Sequence, residues 1–430
     1  MSGFADALRA RTSPAIAEIL GAALTAVDPH RATVAGIVES ELLACPPQTV
    51  VVIAIGKAAA PMARALVETL GNRIRGGVVV SKSRSPSLES LTVLQGEHPV
   101  PGVGSQRAGE AVERAVAQCG AGDTVALALS GGASALVTAP IGGLSTRDLA
   151  ATTRGLLRCG ADIQAINAVR KHLDRLKGGG LAVLAAPART VGLVLSDVVG
   201  DALPTIGSGP ACPDPTTWAD VKAALAGCRD PLPDAVLAVV ADGLAGRRGE
   251  TLKEGKLAVG APHHIIARNQ TAVDAAEHSA RKLGFRVELG AALIGEARSA
   301  GAALGRQISR WRRTGPRAIV LGGETTVTVT GNGQGGRNQE FVVAAAQHVH
   351  RIPNSWVASL ATDGEDGPTD AAGGFVTPGI VDNALAQGLD ADDHLARNDT
   401  YAWLAASGGL LRTGSTGTNV GDIVVAGVER

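Results

Sequence analysis

At 430 residues, with apolar side chains at 45% and charged ones at 19%, the chain is too long for one ordinary core and has a globular balance, so two domains are expected. Lysine plus arginine equals aspartate plus glutamate at 40 each, and aromatics make up 2%, which argues against the basic surface and stacking platforms of a nucleic-acid binder. The five cysteines are odd in number and form no C-x-x-C pair, as reduced thiols do and a disulfide framework or zinc site does not.

The N-terminal MSGFADALRARTSPAIAEIL lacks a long apolar core and reads as an amphipathic helix. No apolar run reaches the roughly 20 residues of a membrane span, and a soluble, cytoplasmic protein is expected. The first strand is TVVVIAIG, apolar on both alternating faces as buried parallel strands are. KAAAPMARAL follows, so Lys57 stands directly after a strand and a glycine, at the head of a helix, where free N–H groups and the helix dipole favour an anion. In GEHPVPG, His98 lies between turn residues and reads as a packed or capping histidine.

SQRAGEAVERAVAQC is a crossover helix, and DTVALALS the next strand. It runs into GGASALV. There Ser130, Gly131, Gly132 and Ser134 can form a backbone nest for an anion or, equally, a plain strand-to-helix turn. It is not a P-loop, because G-x-x-x-x-G-K-[ST] is absent. In NAVRKHLDRLKGGGLA, the residues Asn167, Arg170, Lys171, Asp174 and Lys177 share one helical face, which reads as a solvated basic face or as a polyanion site. The KGGG run reads as a helix stop with a mobile hinge.

The strand TVGLVLS leads into DVVGDALPTIGSGPACPDPTT, with Asp197 at the strand end and Asp201 four residues on. Carboxylates there bind Mg²⁺ or accept a proton. A mostly helical stretch follows from Gly227 and restarts as HHIIARN, which places a domain boundary near residue 235 and gives domains 1–235 and 236–430.

AIVLGG ends on Glu324, and TTVTVT alternates strictly, as a half-exposed antiparallel strand does. The second domain is therefore expected to hold a mixed sheet. GNGQGGRNQEF fits the dinucleotide fingerprint G-x-G-x-x-G, but the preceding run is threonine-rich where a buried aliphatic strand belongs. Arg337 and Asn338 follow the last glycine, and a guanidinium there suits a carboxylate or a phosphate. WVASLAT runs into DGEDGPTDAAGG, whose Asp363, Asp366 and Asp370 lack EF-hand spacing and suit Asx-turns. TGSTGTNVGD closes the series. The fold class is α/β: two α/β domains, the first a Rossmann-like doubly wound parallel sheet, the second mixed. Polar motifs beyond so many strand ends imply one pocket assembled from several loops.

With these motifs in order, the sequence resembles the ATP-dependent glycerate 2-kinases, the class carrying a C-terminal MOFRL domain. The resemblance rests on AIGKAAAPMA, GEHPVPG, LSGGASAL, NAVRKHLDRLKGGGLA, SDVVGDALPTIGSGPACPDPTT, GGETTVTVTGNGQGGRNQE, TDGEDGPTDAAGG and TGSTGTN. It implies an active site in the cleft between two α/β domains, and transfer of the γ-phosphoryl of ATP, with Mg²⁺, to the 2-hydroxyl of D-glycerate. Lys57, Asp197 and Arg337 match the catalytic positions, with Asp197 also the metal ligand. Ser130, Gly131, Gly132, Ser134, Lys171, Glu324, Asn338 and Asp363 form the implied nucleotide-binding set, in a monomer or homodimer. Ala133 and Ser415 depart from the pattern, each keeping a small residue. The competing expectations are an NAD(P)H-dependent hydroxypyruvate reductase and a non-catalytic sensor of a nucleotide or small acid.

Overall fold

The computed structural model describes residues 12–83, 86–88, 90–257, 259–311 and 315–429. The chain forms two compact units, one of Pro29–Ala267 and one of Arg268–Arg430 joined by the segment up to Asp28.

That first segment holds helix α1 (Pro14–Ala26), with Pro14 at the first helical position and the Ser13 hydroxyl accepting from the Ile16 N–H at 3.3 Å. Of the N-terminal stretch read as a helix, residues 1–11 lie outside the described residues. Ile16, Ile19, Leu20 and Leu24 of α1 are buried.

The middle unit runs α2 (Pro29–Glu39), β1 (Val50–Ile55), α3 (Ala59–Leu70), β2 (Ile74–Ser81), β3 (Leu91–Gln95), α4 (Val103–Ala117) and β4 (Thr124–Leu129). The short α5 (Ala133–Leu136), then α6 (Thr146–Arg158), α7 (Ile163–His172) and α8 (Gly180–Ala185) lead to β5 (Arg189–Leu195). Helices α9 (Trp218–Ala226) and α10 (Asp234–Leu244) precede β6 (His263–Ala267). The six strands form one parallel sheet in the order β3-β2-β1-β4-β5-β6. Every residue of β1 is buried, as its unbroken apolar run requires, and each such Val or Ile contributes roughly 1.5–3 kcal/mol. Strand order reverses between β1 and β4, the place where ligands of doubly wound sheets sit. Helices α6, α7, α9 and α10 pack a second core of their own around Leu156, Val169, Trp218 and Val240.

A boundary near residue 235 does not describe this unit. Helix α10 begins there but buries Val236, Val239 and Val240 against α6, α7 and α9, and β6 pairs in parallel with β5. The described chain leaves the unit only at Ala267.

The other unit continues with α11 (Asn269–Lys282), β7 (Arg286–Leu289), α12 (Ala297–Ser309), β8 (Arg317–Gly323), α13 (Arg337–Val349), β9 (Ser355–Ala361) and β10 (Gly373–Val376). Helices α14 (Pro378–Ala386), α15 (Ala391–Ala396) and α16 (Thr400–Ser407) lead to β11 (Leu410–Leu411) and β12 (Asp422–Val428). Its sheet has the order β11-β10-β9-β12-β8-β7 and is mixed: β7 and β8 are parallel, while β12 is antiparallel to both β8 and β9. α1 packs on α11 and β12, which is why it belongs here.

The mixed sheet is as expected, but TTVTVT does not contribute a strand to it. That segment forms no ladder: it meets its neighbours through an isolated bridge between Thr326 and Glu296 and through side-chain bonds from Thr328 to Glu296 and Thr330 to Asn398, with Val329 exposed. Strict alternation needs a partner edge to become a strand, and β12 already takes the free side of β8.

Candidate active site

In the parallel unit the loops after β1 and β4 close on each other. The Lys57 N–H donates to the Gly131 carbonyl at 2.9 Å, and the Ala58 N–H to the Ser130 hydroxyl at 2.9 Å. Gly56 has φ +133°, and a Cβ there would lie 2.1 Å from the Ser130 hydroxyl, so only glycine lets the two loops meet. Ser130 is fully buried, and its hydroxyl braces the Lys57 loop. Gly132 (φ +85°) and Ser134 are partly exposed. A Cβ at Gly132 would touch the His98 ring at 3.2 Å and the Lys57 side chain at 3.6 Å, so these three residues share one spot at the strand-order reversal. His98, read from sequence as a packing residue, is therefore part of this cluster. Asp197 stands half-buried two residues beyond β5 of the same sheet.

The face of α7 expected to be solvated is turned inward. Lys171 pairs with buried Asp214 at 3.1 Å, and Lys177 with buried Asp174 at 2.5 Å while also donating to the Val137 carbonyl at 2.9 Å. Asp214 further accepts from the Thr216 and Thr251 hydroxyls. Lys171 thus stabilises this interior where sequence gave it a nucleotide. The KGGG run is likewise no open hinge, since the Gly178 and Gly179 N–H groups bond to the Ser208 and Gly209 carbonyls at 3.0 and 2.8 Å. The Ser208 hydroxyl in turn bonds Asn167 at 3.0 Å and Ser134 at 2.8 Å, tying α7 to the loop after β4.

In the mixed-sheet unit, Arg337 opens α13. Its Nε and Nη2 donate to Asp422 at 2.6 and 2.9 Å, and its Nη1 pairs with Glu324 at 2.8 Å. Asn338 is buried, and its amide donates to Asp422 at 3.0 Å and Asp366 at 3.2 Å. The free N–H groups of Asn338 and Gln339 at the head of α13 both go to the Asp366 carboxylate, at 3.0 and 2.9 Å. The helix terminus that sequence offers to a ligand anion already holds a carboxylate of the chain. Burial pushes the Asp366 pKa up to about 6, with nearby Asp422 adding to it against those N–H bonds. For Arg337, burial acts to lower the pKa, but Asp422 and then Glu324 outweigh it and hold the group above its ordinary value. Asp363 is buried and accepts the Glu365 N–H at 2.9 Å, an Asx-turn.

The glycines of GNGQGG serve close backbone approach within the chain. Cβ atoms at Gly331, Gly333 and Gly336 would fall 2.2 Å from Arg397, 2.4 Å from Asp399 and 2.3 Å from Asp366. The segment before them is no strand, so the dinucleotide fingerprint has neither its strand nor its open loop. Asp422 is the residue that sequence reading passed over. It closes the quoted TGSTGTNVGD and opens the last strand, and that strand-edge position was the available signal.

Among the described residues, no group of three or more His, Cys, Asp or Glu side chains stands ready to hold a metal ion. No helix of the described residues is long and apolar enough to cross a membrane.

Residues 15–241 match the family described as a domain of unknown function, DUF4147, and residues 317–422 match the MOFRL family. The D-glycerate 2-kinase of Thermotoga maritima is 39% identical over 423 residues, covering 95% of this chain and 96% of that protein. The chain belongs to the glycerate 2-kinase family. A crystal structure of the Thermotoga maritima glycerate kinase superposes with a TM-score of 0.83 at 38% identity, covering 96% of this chain and 98% of that one. An Agrobacterium vitis relative, 37% identical over 94% of this chain and 92% of its own, carries a provisional hydroxypyruvate reductase name. In the glycerate 2-kinase frame, the Lys57 and Gly132 cluster and the Arg337 cluster fall on the motifs that the sequence resemblance singled out.

Proposed function

We propose that this chain transfers the γ-phosphoryl group of ATP to the 2-hydroxyl of D-glycerate, giving 2-phosphoglycerate and ADP. The observation that carries the reading is Lys57 held against Gly132 and His98 where the strand order reverses. Phosphoryl transfer spreads negative charge over phosphate oxygens, so a fixed cation and oriented N–H groups supply most of the catalysis. Lys57 neutralises the transferring charge. The partly exposed backbone from Gly132 to Ser134 lines the phosphates, held in place by Ser130. Asp197, just beyond the carboxyl end of β5, orients the 2-hydroxyl or holds Mg²⁺.

Arg337 keeps two N–H bonds beyond the three committed to Asp422 and Glu324, and these suit an anion such as a phosphate or a carboxylate. Mg²⁺ bound with a nucleotide takes one or two protein carboxylates and keeps its waters. The half-buried Asp197, with no preformed acidic cluster beside it among the described residues, fits that demand. When bound, Mg²⁺ held by Asp197 would supply positive charge that offsets the negative charge of the phosphates.

The test is a coupled assay with ATP, Mg²⁺ and D-glycerate in which ADP is followed and the product assigned by ³¹P NMR. We expect ADP release and a 2-phosphoglycerate resonance. NAD(P)H oxidation with hydroxypyruvate and no ADP would move the chain to the reductases. Saturable ATP binding by calorimetry without any product would make it a sensor.

A further inference from the structure

Arg170 lies in the last turn of α7, three residues after Asn167, which reaches the loop after β4 through Ser208 and Ser134. Its side chain forms the wall of a small recess with Ser134, Thr152, Thr153, Lys177 and Pro101. Among the described residues, no carboxylate, hydroxyl or carbonyl is its partner. Burial acts alone on it and lowers its pKa. The contrast with the other charged groups of these clusters is sharp: Lys171, Lys177 and Arg337 are each neutralised by a carboxylate.

A half-buried guanidinium without a counter-charge is costly in the resting protein and becomes favourable once an anion arrives. The recess sets which anion. Its remaining walls are leucine, valine and threonine, and Lys177 beside it is already paired with Asp174, so one uncompensated positive charge remains. One charge matches a monoanion and falls short of a triphosphate. The planar fork of arginine matches a carboxylate through two parallel hydrogen bonds.

We propose that Arg170, beside Ser134, binds the carboxylate of the 2-hydroxy acid substrate. The inference rests on the kinase reading above for the identity of that acid. It makes Arg170 a determinant of acid affinity, and leaves Lys57 to the phosphates.

Steady-state kinetics on the full chain test it. Arg170→Ala raises KM for D-glycerate about tenfold or more and leaves KM for ATP within about twofold. Arg170→Lys keeps the charge, loses the fork and recovers only part of the affinity. A variant that melts like the parent and keeps its glycerate KM overturns the proposal. So does one in which only KM for ATP rises, because the guanidinium then serves a phosphate. If the alanine variant does not fold, Arg170→Gln is judged by the same two outcomes. Calorimetry of D-glycerate, L-glycerate and D-lactate on the nucleotide-free protein separates this idea from turnover. A parent that binds one of these acids but phosphorylates none fails as a glycerate kinase, yet supports the inference if Arg170→Ala loses that binding. A parent that binds none of the three overturns the inference.

Discussion

Arg337 has five N–H bonds, and three of them are committed to Asp422 and Glu324. With both carboxylates ionised, the three groups sum to one negative charge, so any anion that Arg337 meets must bring or find a further cation. Asp366 sits beside this group and has its pKa pushed up to about 6 by burial and by Asp422. Between the unfolded value of 3.8 and about 6 the folded state binds more protons, so the stability from Asp366 is full below 3.8 and is lost as pH rises through about 6. We expect the difference in unfolding free energy between the parent and Asp366→Asn to shrink by about 2 kcal/mol from about pH 4 to about pH 7, measured by urea titration. A difference that stays flat over that range would show that Asp366 is ionised throughout. The place of Arg337 at the head of a helix was legible from the run of glycines before it. Its partner was not, because Asp422 lies 85 residues away and reaches it only through the pairing of β12 with β8 and β9.

At the scale of elements, the strands most easily read were those whose burial is dictated by composition. VVVIAI, TVALAL and TVGLVL are apolar on both faces, and a parallel sheet covered on both sides is the arrangement that buries them all. TTVTVT misled because alternation is a property of a segment and pairing a property of two. The solvated reading of α7 failed for a similar reason: Lys171 and Lys177 are interior because Asp214 and Asp174 meet them there, and Asp214 lies on a distant loop. Where two elements must touch, glycine carries a cost that can be measured. Gly56→Ala adds a Cβ 2.1 Å from the Ser130 hydroxyl at φ +133°, whereas Gly160→Ala, at φ +71°, meets nothing within 4 Å. The second should cost about 1 kcal/mol from backbone strain alone. The first should cost about 3 kcal/mol or more, because strain and overpacking add, and should depress kcat as the Lys57 and Ser130 loops part. Equal urea midpoints for the two variants would remove the close approach of these loops as the reason for Gly56.

For the whole molecule, length alone announced two units, but not that one of them is interrupted by the other. The segment up to Asp28 joins Arg268–Arg430, and the intervening residues form the parallel unit. Nothing local in PAIAEILGAALTA says which sheet its apolar face will cover, since Ile16, Ile19, Leu20 and Leu24 would suit either. Packing decides it: α1 lies on α11 and β12, and the Thr418 hydroxyl donates to the Val27 carbonyl at 2.7 Å. A charge placed in that contact should therefore be felt hundreds of residues away in sequence and not by its nearer neighbours. Ile19 is fully buried, and an aspartate there would be an unpaired buried charge worth several kcal/mol of destabilisation, on the order of 3 kcal/mol. In hydrogen exchange, we expect Ile19→Asp to lose protection in peptides spanning α11 and β12, while those spanning β1 and β4 keep the parent's rates. If β1 and β4 open instead, α1 is a part of the parallel unit, and the division of the chain at Asp28 and Ala267 is wrong.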